Sequence, residues 1–145
     1  MADMKPRVLF VCTHNTAHNQ MAEALLQYYA GERFEVLSAG VAPTEVHALT
    51  CQVLTDIGLD PSWLYAKSFD DFFAGVSIAY AIIVCDQPED GCPRLFPFAL
   101  QTLHWPFDDP TQTEGATVER LRTFRTVRDQ IERRIRAWLD TLEGM

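Results

Sequence analysis

The sequence predicts a single-domain α/β protein, a three-layer sandwich whose four-stranded parallel sheet carries helices on both faces. Three observations predict it. Four short apolar runs alternate along the chain with stretches of helical periodicity, the pattern of strands joined by right-handed helical crossovers. The 145 residues suit one domain with one core, expected to span 1–145. No repeat, low-complexity tract or linker interrupts them.

Taken in order, Arg7 to Val11 reads as a buried strand with Cys12 directly after it. Gln20 to Ala30 reads as a helix with Met21, Ala22, Leu25, Leu26 and Tyr29 on one face, closed by Gly31 in the C′ position. Glu35 to Ala39 is a short strand ending at Gly40. The next helix has Val46, Leu49, Val53, Leu54 and Ile57 on one side and Gly58 as its stop. Ser68-Phe69-Asp70-Asp71 resembles a capping box that opens a short third helix. Tyr80 to Val84 is the most hydrophobic strand, followed at once by Cys85, and Gln101 to His104 is a shorter one. Leu121, Phe124, Val127, Ile131, Ile135, Trp138 and Leu142 then recur at helical spacing with charges between them, which marks a long amphipathic last helix.

Apolar residues make up 48% of the chain, as in ordinary soluble domains, and the longest apolar run, Ala79 to Cys85, is strand-sized rather than membrane-sized. The N-terminus runs into the first strand without a separate hydrophobic leader, so a cytoplasmic location is expected. The formal net charge of −8, from 12 basic and 20 acidic residues, argues against nucleic acid and anionic membranes as partners. It also repels small anions at long range, so any oxyanion must be held by a local cradle of N–H groups. The four cysteines, Cys12, Cys51, Cys85 and Cys92, point in a cytoplasmic chain to catalysis, metal binding or plain burial rather than to structural disulfides.

Cys12, Cys85 and the pair Asp108-Asp109 each lie just past the end of an expected strand. In a parallel sheet all three converge on the carboxyl edge, where such folds bind ligands. The segment Cys12-Thr13-His14-Asn15-Thr16-Ala17-His18-Asn19-Gln20 joins a strand to a helix, so its N–H groups and the helix N-terminus form an anion nest. The same surroundings should lower the Cys12 thiol pKa and favour the nucleophilic thiolate. Judged from this loop alone, a small buried cysteine at a strand end is the competing reading. For Cys85 and Cys92 the competing reading is a zinc site, which the missing Cys-x-x-Cys spacing and a single nearby helper, His14, argue against. Cys51 points away from its helix's apolar face and receives no role. His47, on that helix, is expected to be solvated, and Trp105 to belong to the core or a pocket wall.

The run Val8 to Asn15 followed by Gln20-Met21-Ala22-Glu23 resembles the signature of thioredoxin-coupled arsenate reductases, which share the low-molecular-weight tyrosine phosphatase fold. Ser38-Ala39-Gly40, His104 to Pro110, and Cys85 with Cys92 in one loop resemble it too, so the likeness covers nearly the whole chain. It implies that Cys12 attacks arsenate and that Asp109, fixed by the following Pro, protonates the departing oxygen, with Asp108 the alternative acid. It further implies that Cys85 attacks Cys12 to release arsenite, and that Cys92 then draws the disulfide to Cys85–Cys92 for reduction by thioredoxin. The loop residues Thr13, His14, Asn15, Thr16, Ala17, His18 and Asn19 would cradle the oxyanion. No cofactor and no metal is expected, and the protein is expected to be a monomer.

The chain departs from that family at the end of the loop. His18 stands where the family has an Arg whose planar fork grips two oxyanion oxygens, and Asn19 where it usually has Ser. Histidine offers one donor and cannot make the bidentate contact, so it would serve the anion as an imidazolium. Asn19 keeps an amide that could donate to the Cys12 thiolate. Some members bind potassium through Asn, Glu, Ser and Asp; Asn15, Glu23 and Ser38 match, but the Asp is replaced near Ser68, so no ion is expected. A degenerate loop suits a non-enzymatic binder of arsenite or another oxyanion, and a weak tyrosine phosphatase is a third reading. The three cysteines with an acid favour reduction, because a binder needs neither Asp109 nor a mobile disulfide.

Overall fold

The computed structural model describes residues 5–14, 17–68, 70, 77–85 and 99–143. Strands β1 (Arg7–Cys12), β2 (Glu35–Gly40), β3 (Ile78–Ile83) and β4 (Ala99–His104) form one parallel sheet in the order β2-β1-β3-β4. Helix α1 (His18–Ala30) joins β1 to β2, and α2 (Ala48–Thr55) lies in the connection that crosses from β2 over β1 to β3. A 3-10 turn at Pro110–Gln112 and the long helix α3 (Thr117–Glu143) follow β4. Among the described residues no helix is long and apolar enough to cross a membrane.

Successive side chains of a strand point to opposite faces, yet Val8, Leu9, Phe10 and Val11 of β1 are all fully buried. Both faces of the sheet are therefore covered at its centre, as a parallel sheet requires. At the edge the pattern changes: β4 is largely half-exposed, and Leu100 is 84% exposed. Helix α3 buries Phe124, Val127, Ile131, Ile135 and Leu139, with Leu121, Trp138 and Leu142 packed partly against the core, which is the expected stripe. Trp138 stacks on Phe34 and meets Tyr80 and Trp105 edge-on, so Trp105 is a core residue. Arg128, almost buried on α3, donates from Nη1 to the Val53 carbonyl at 2.9 Å and ties α3 to α2.

Several boundaries differ from expectation. Helix α1 begins at His18 rather than Gln20, because its polar first turn, His18-Asn19-Gln20, is buried instead of exposed. Tyr29 belongs to the outer surface, where its hydroxyl donates to Glu132 at 2.7 Å. Gly31 ends the helix in the ordinary right-handed region, φ −62°, so it needs no left-handed freedom there. Gly58 does, at φ 84°, and stops the turn after α2 as expected. Helix α2 is shorter than its apolar pattern: His47 caps its start, the ring Nδ1 accepting from the Leu49 N–H at 3.0 Å, which leaves Val46 outside, and Ile57 lies past the C-cap Asp56. His47 also lies against Phe124 with ring centroids 4.9 Å apart, so it is a packed cap and not a solvated side chain. Asp70 N–H donates to Ser68 Oγ at 3.2 Å, a turn contact two residues on and not the three-residue contact of a capping box. Phe69, Asp71 and the helix expected after them lie outside the described residues.

Candidate active site

Pairing across the sheet sets its carboxyl edge in line: Ala39 beside Val11, Val11 beside Ile83, and Ile83 beside His104. The segments leaving the strands therefore emerge side by side. Cys12 ends β1 and Cys85 lies just past β3, on the neighbouring strand, 4% and 2% exposed respectively. Val84 N–H donates to the Val11 carbonyl, which carries the pairing up to Cys85. Beyond β4, Trp105 N–H donates to Ile83 O and Phe107 N–H to Val84 O, so that segment runs beside the residues leading into Cys85. It delivers Asp108 and Asp109 to the same edge. The expected convergence of Cys12, Cys85 and Asp109 is present; Cys92 lies outside the described residues. Cys12 and Cys51 are thiols, Cys51 half-buried on α2.

The loop after β1 is held from one side. The carbonyls of Cys12, Thr13 and His14 accept from the N–H groups of Val41, Ala42 and Thr44 at 3.1, 2.7 and 3.1 Å. A trans peptide sets each N–H opposite the preceding carbonyl, so the Thr13 and His14 N–H groups point away from residues 41–44. Thr13 is buried and His14 exposed; Asn15 and Thr16 lie outside the described residues. Ala17, fully buried, precedes α1 without a side-chain cap, which leaves the first N–H groups of the helix without intrahelical partners.

His18 occupies that first turn, 2% exposed, with Nε2 3.4 Å and Nδ1 4.0 Å from Cys12 Sγ. Burial pushes its pKa below the ordinary 6.5, and the carboxylates of Asp109 and then Asp108 oppose that only in part. Burial thus works against a charged ring here, in contrast to the permanently charged Arg that the family has at this position. The Asn19 amide nitrogen donates to the Ala39 carbonyl at 3.2 Å, while Oδ1 is buried without a partner among the described residues. Asp109 is half-buried and Asp108 exposed. Asp109 Oδ1 caps the 3-10 turn, accepting from Thr111 N at 2.9 Å and Thr111 Oγ1 at 2.7 Å.

Beneath the loop, Glu23 of α1 accepts from the Ser38 hydroxyl and from Lys67 Nζ, the latter at 3.1 Å, all three buried. Lys67 also donates to Tyr65 O at 2.8 Å and lies 4.3 Å over the Tyr65 ring. The carboxylate and hydroxyl that the resemblance linked to potassium thus meet an ammonium carried by the chain itself. Desolvation raises the Glu23 pKa, opposed by the Lys67 charge and the Ser38 hydrogen bond. No local pattern marks Lys67 as a partner of Glu23, because 44 residues separate the two.

Fold and site together define a parallel α/β protein with a buried cysteine at the head of an oxyanion-type loop. The family model for low molecular weight phosphotyrosine protein phosphatase matches residues 7–144, and the chain belongs to that family. It is 32% identical to an arsenate reductase of Halalkalibacterium halodurans, over 94% of this chain and 97% of that protein. It is 31% identical to an arsenate reductase of Shouchella clausii, over 96% and 99%. Among solved structures it resembles a thioredoxin-dependent arsenate reductase of Corynebacterium glutamicum with a TM-score of 0.72 and 30% identity, over 99% of this chain and 64% of that one.

Proposed function

We propose that the protein is a single-domain, monomeric, cytoplasmic arsenate reductase regenerated by thioredoxin, with Cys12, Cys85 and Cys92 as its relay. The Cys12 thiolate forms an S–As bond; an As–O bond breaks, and the departing oxygen leaves as water on a proton from Asp109. The Cys85 thiolate then attacks Cys12 sulfur. The S–As pair goes to arsenic, arsenite departs, and a Cys12–Cys85 disulfide remains. Cys92 attacks Cys85, Cys12 leaves as thiolate, and thioredoxin reduces the resulting Cys85–Cys92 disulfide. Thr13, His14, Asn15, Thr16, Ala17, His18 and Asn19 hold the oxyanion.

One observation carries this reading: two buried cysteines lie at the ends of adjacent strands, beside the segment that brings Asp109 to the same edge. The test is arsenate-dependent NADPH oxidation with thioredoxin and its reductase, beside a single arsenate exposure of Cys92→Ser. Turnover by the wild type and a trapped Cys12–Cys85 disulfide in the variant are expected. Tight arsenite binding without turnover would instead favour the non-enzymatic binder, the reading supported by the loss of the loop Arg.

A further inference from the structure

Resting on that reading, and reaching past it to how the nucleophile is made, we propose that His18 is the proton acceptor that activates Cys12. The imidazole takes the thiol proton across the 3.4 Å contact between Nε2 and Sγ. The S–H bond breaks, an N–H bond forms, and a thiolate–imidazolium pair stands at the head of α1. Atoms and charge balance within the pair, and no outside base is needed.

Three features support the transfer. First, the contact is direct and dry: Cys12 and His18 are both buried, so no bulk water competes for the proton. Second, desolvation works against a lone imidazolium, so the ring gains its proton together with the thiolate charge that compensates it. Accepting at Nε2 places the ring hydrogen on Nδ1. Third, the surroundings favour the product. Among the described residues, the groups facing His18 are the Cys12 thiol from β1 and the carboxylates of Asp109 and Asp108 from the segment after β4, and both carboxylates stabilise an imidazolium. The first turn of α1, at the positive end of the helix dipole, favours the thiolate.

A guanidinium could not take this part, since it has no lone pair to accept a proton. Histidine at this position therefore exchanges a permanent cation for a base. The imidazolium appears only when the nucleophile forms, so a cationic donor for the oxyanion and reactivity at sulfur arise in the same step.

The test needs no arsenate, which separates its failure from failure of the reductase reading. Full-length protein is alkylated with iodoacetamide from pH 5 to 10, and the Cys12 peptide is followed by mass spectrometry in wild type and His18→Gln. At pH 6 the wild type should react at least about tenfold faster, because His18→Gln returns the thiol toward its ordinary pKa of about 8.5. The gap should close above about pH 9, where solvent takes the proton in both proteins. A merely structural role for His18 would change reactivity by one factor at every pH and would overturn the proposal, as would superimposable profiles. Should His18→Gln fail to fold, NMR titration of the His18 ring in wild type and Cys12→Ser decides. Loss of the thiolate should move the imidazole titration to lower pH, and an unchanged titration overturns the proposal.

Discussion

Helix α1 carries two buried polar clusters, and they differ in how their charges are met. At its head His18 touches Cys12; further along, Glu23 meets Ser38 and Lys67. Burial acts on both titratable groups, lowering the pKa of His18 and raising that of Glu23. The counter-charges are placed differently. Lys67 sits inside the same buried space, 3.1 Å from the carboxylate. Asp109 and Asp108 act on His18 from half-buried and exposed positions, where water screens them. One cluster is a closed ion pair that braces α1 against β2, and the other leaves a proton able to move beside a nucleophile.

The largest test of this contrast is Asp109→Asn. Losing the acid should slow arsenate reduction about 10²–10⁴-fold in single-turnover measurements. Urea unfolding should hardly change, because the Asn oxygen can still accept from Thr111. Asp108→Asn should do less to the rate, and the opposite ranking would reassign the acid.

Next comes Lys67→Met, which leaves Glu23 buried without its cation and should cost about 3–5 kcal/mol of stability in urea unfolding. Adding Glu23→Gln should recover part of that loss. The pH dependence is set by the sign of the shift. Glu23 has a folded pKa above 4.5, higher still without Lys67, so its contribution is present below the unfolded value and lost as pH rises through the folded one. The deficit of Lys67→Met should therefore be smallest below pH 4.5 and largest near neutrality. A deficit independent of pH would mean that packing, and not the ion pair, makes this cluster rigid.

The smallest effect belongs to His47→Ala, which removes the α2 cap and should cost about 1 kcal/mol. The folded pKa of His47 is depressed below 6.5, chiefly by desolvation and then by the Arg120 charge. Its contribution is present above pH 6.5 and fades as pH falls through the folded value, so wild type and variant should converge in acid. Thermal unfolding between pH 5 and 8 measures this.

Much of the fold could be read along the chain. All four strands, the α3 stripe and the stop at Gly58 follow periodicity and turn chemistry, although β3 and β4 each begin two residues earlier than expected, at Ile78 and Ala99. The helix boundaries were less legible. His18, Asn19 and Gln20 have loop chemistry by themselves and become helix only where tertiary packing buries them. His47 has weak capping propensity, and the Phe124 ring against it makes it a cap. Of the site, the convergence of Cys12, Cys85 and Asp109 followed from strand order, since residues just past parallel strands must share an edge.

By itself, then, the sequence determined the alternation of strand and helix, and with it the edge where the reactive groups gather. Periodicity and the handedness of crossovers are local properties of the chain. Only the tertiary structure decided the charge states. Whether His18 is a cation or a base depends on how much water it keeps, and whether Glu23 is tolerated depends on a lysine distant along the chain. Desolvation and cross-chain pairing are properties of the packed molecule, and no stretch of sequence carries them alone.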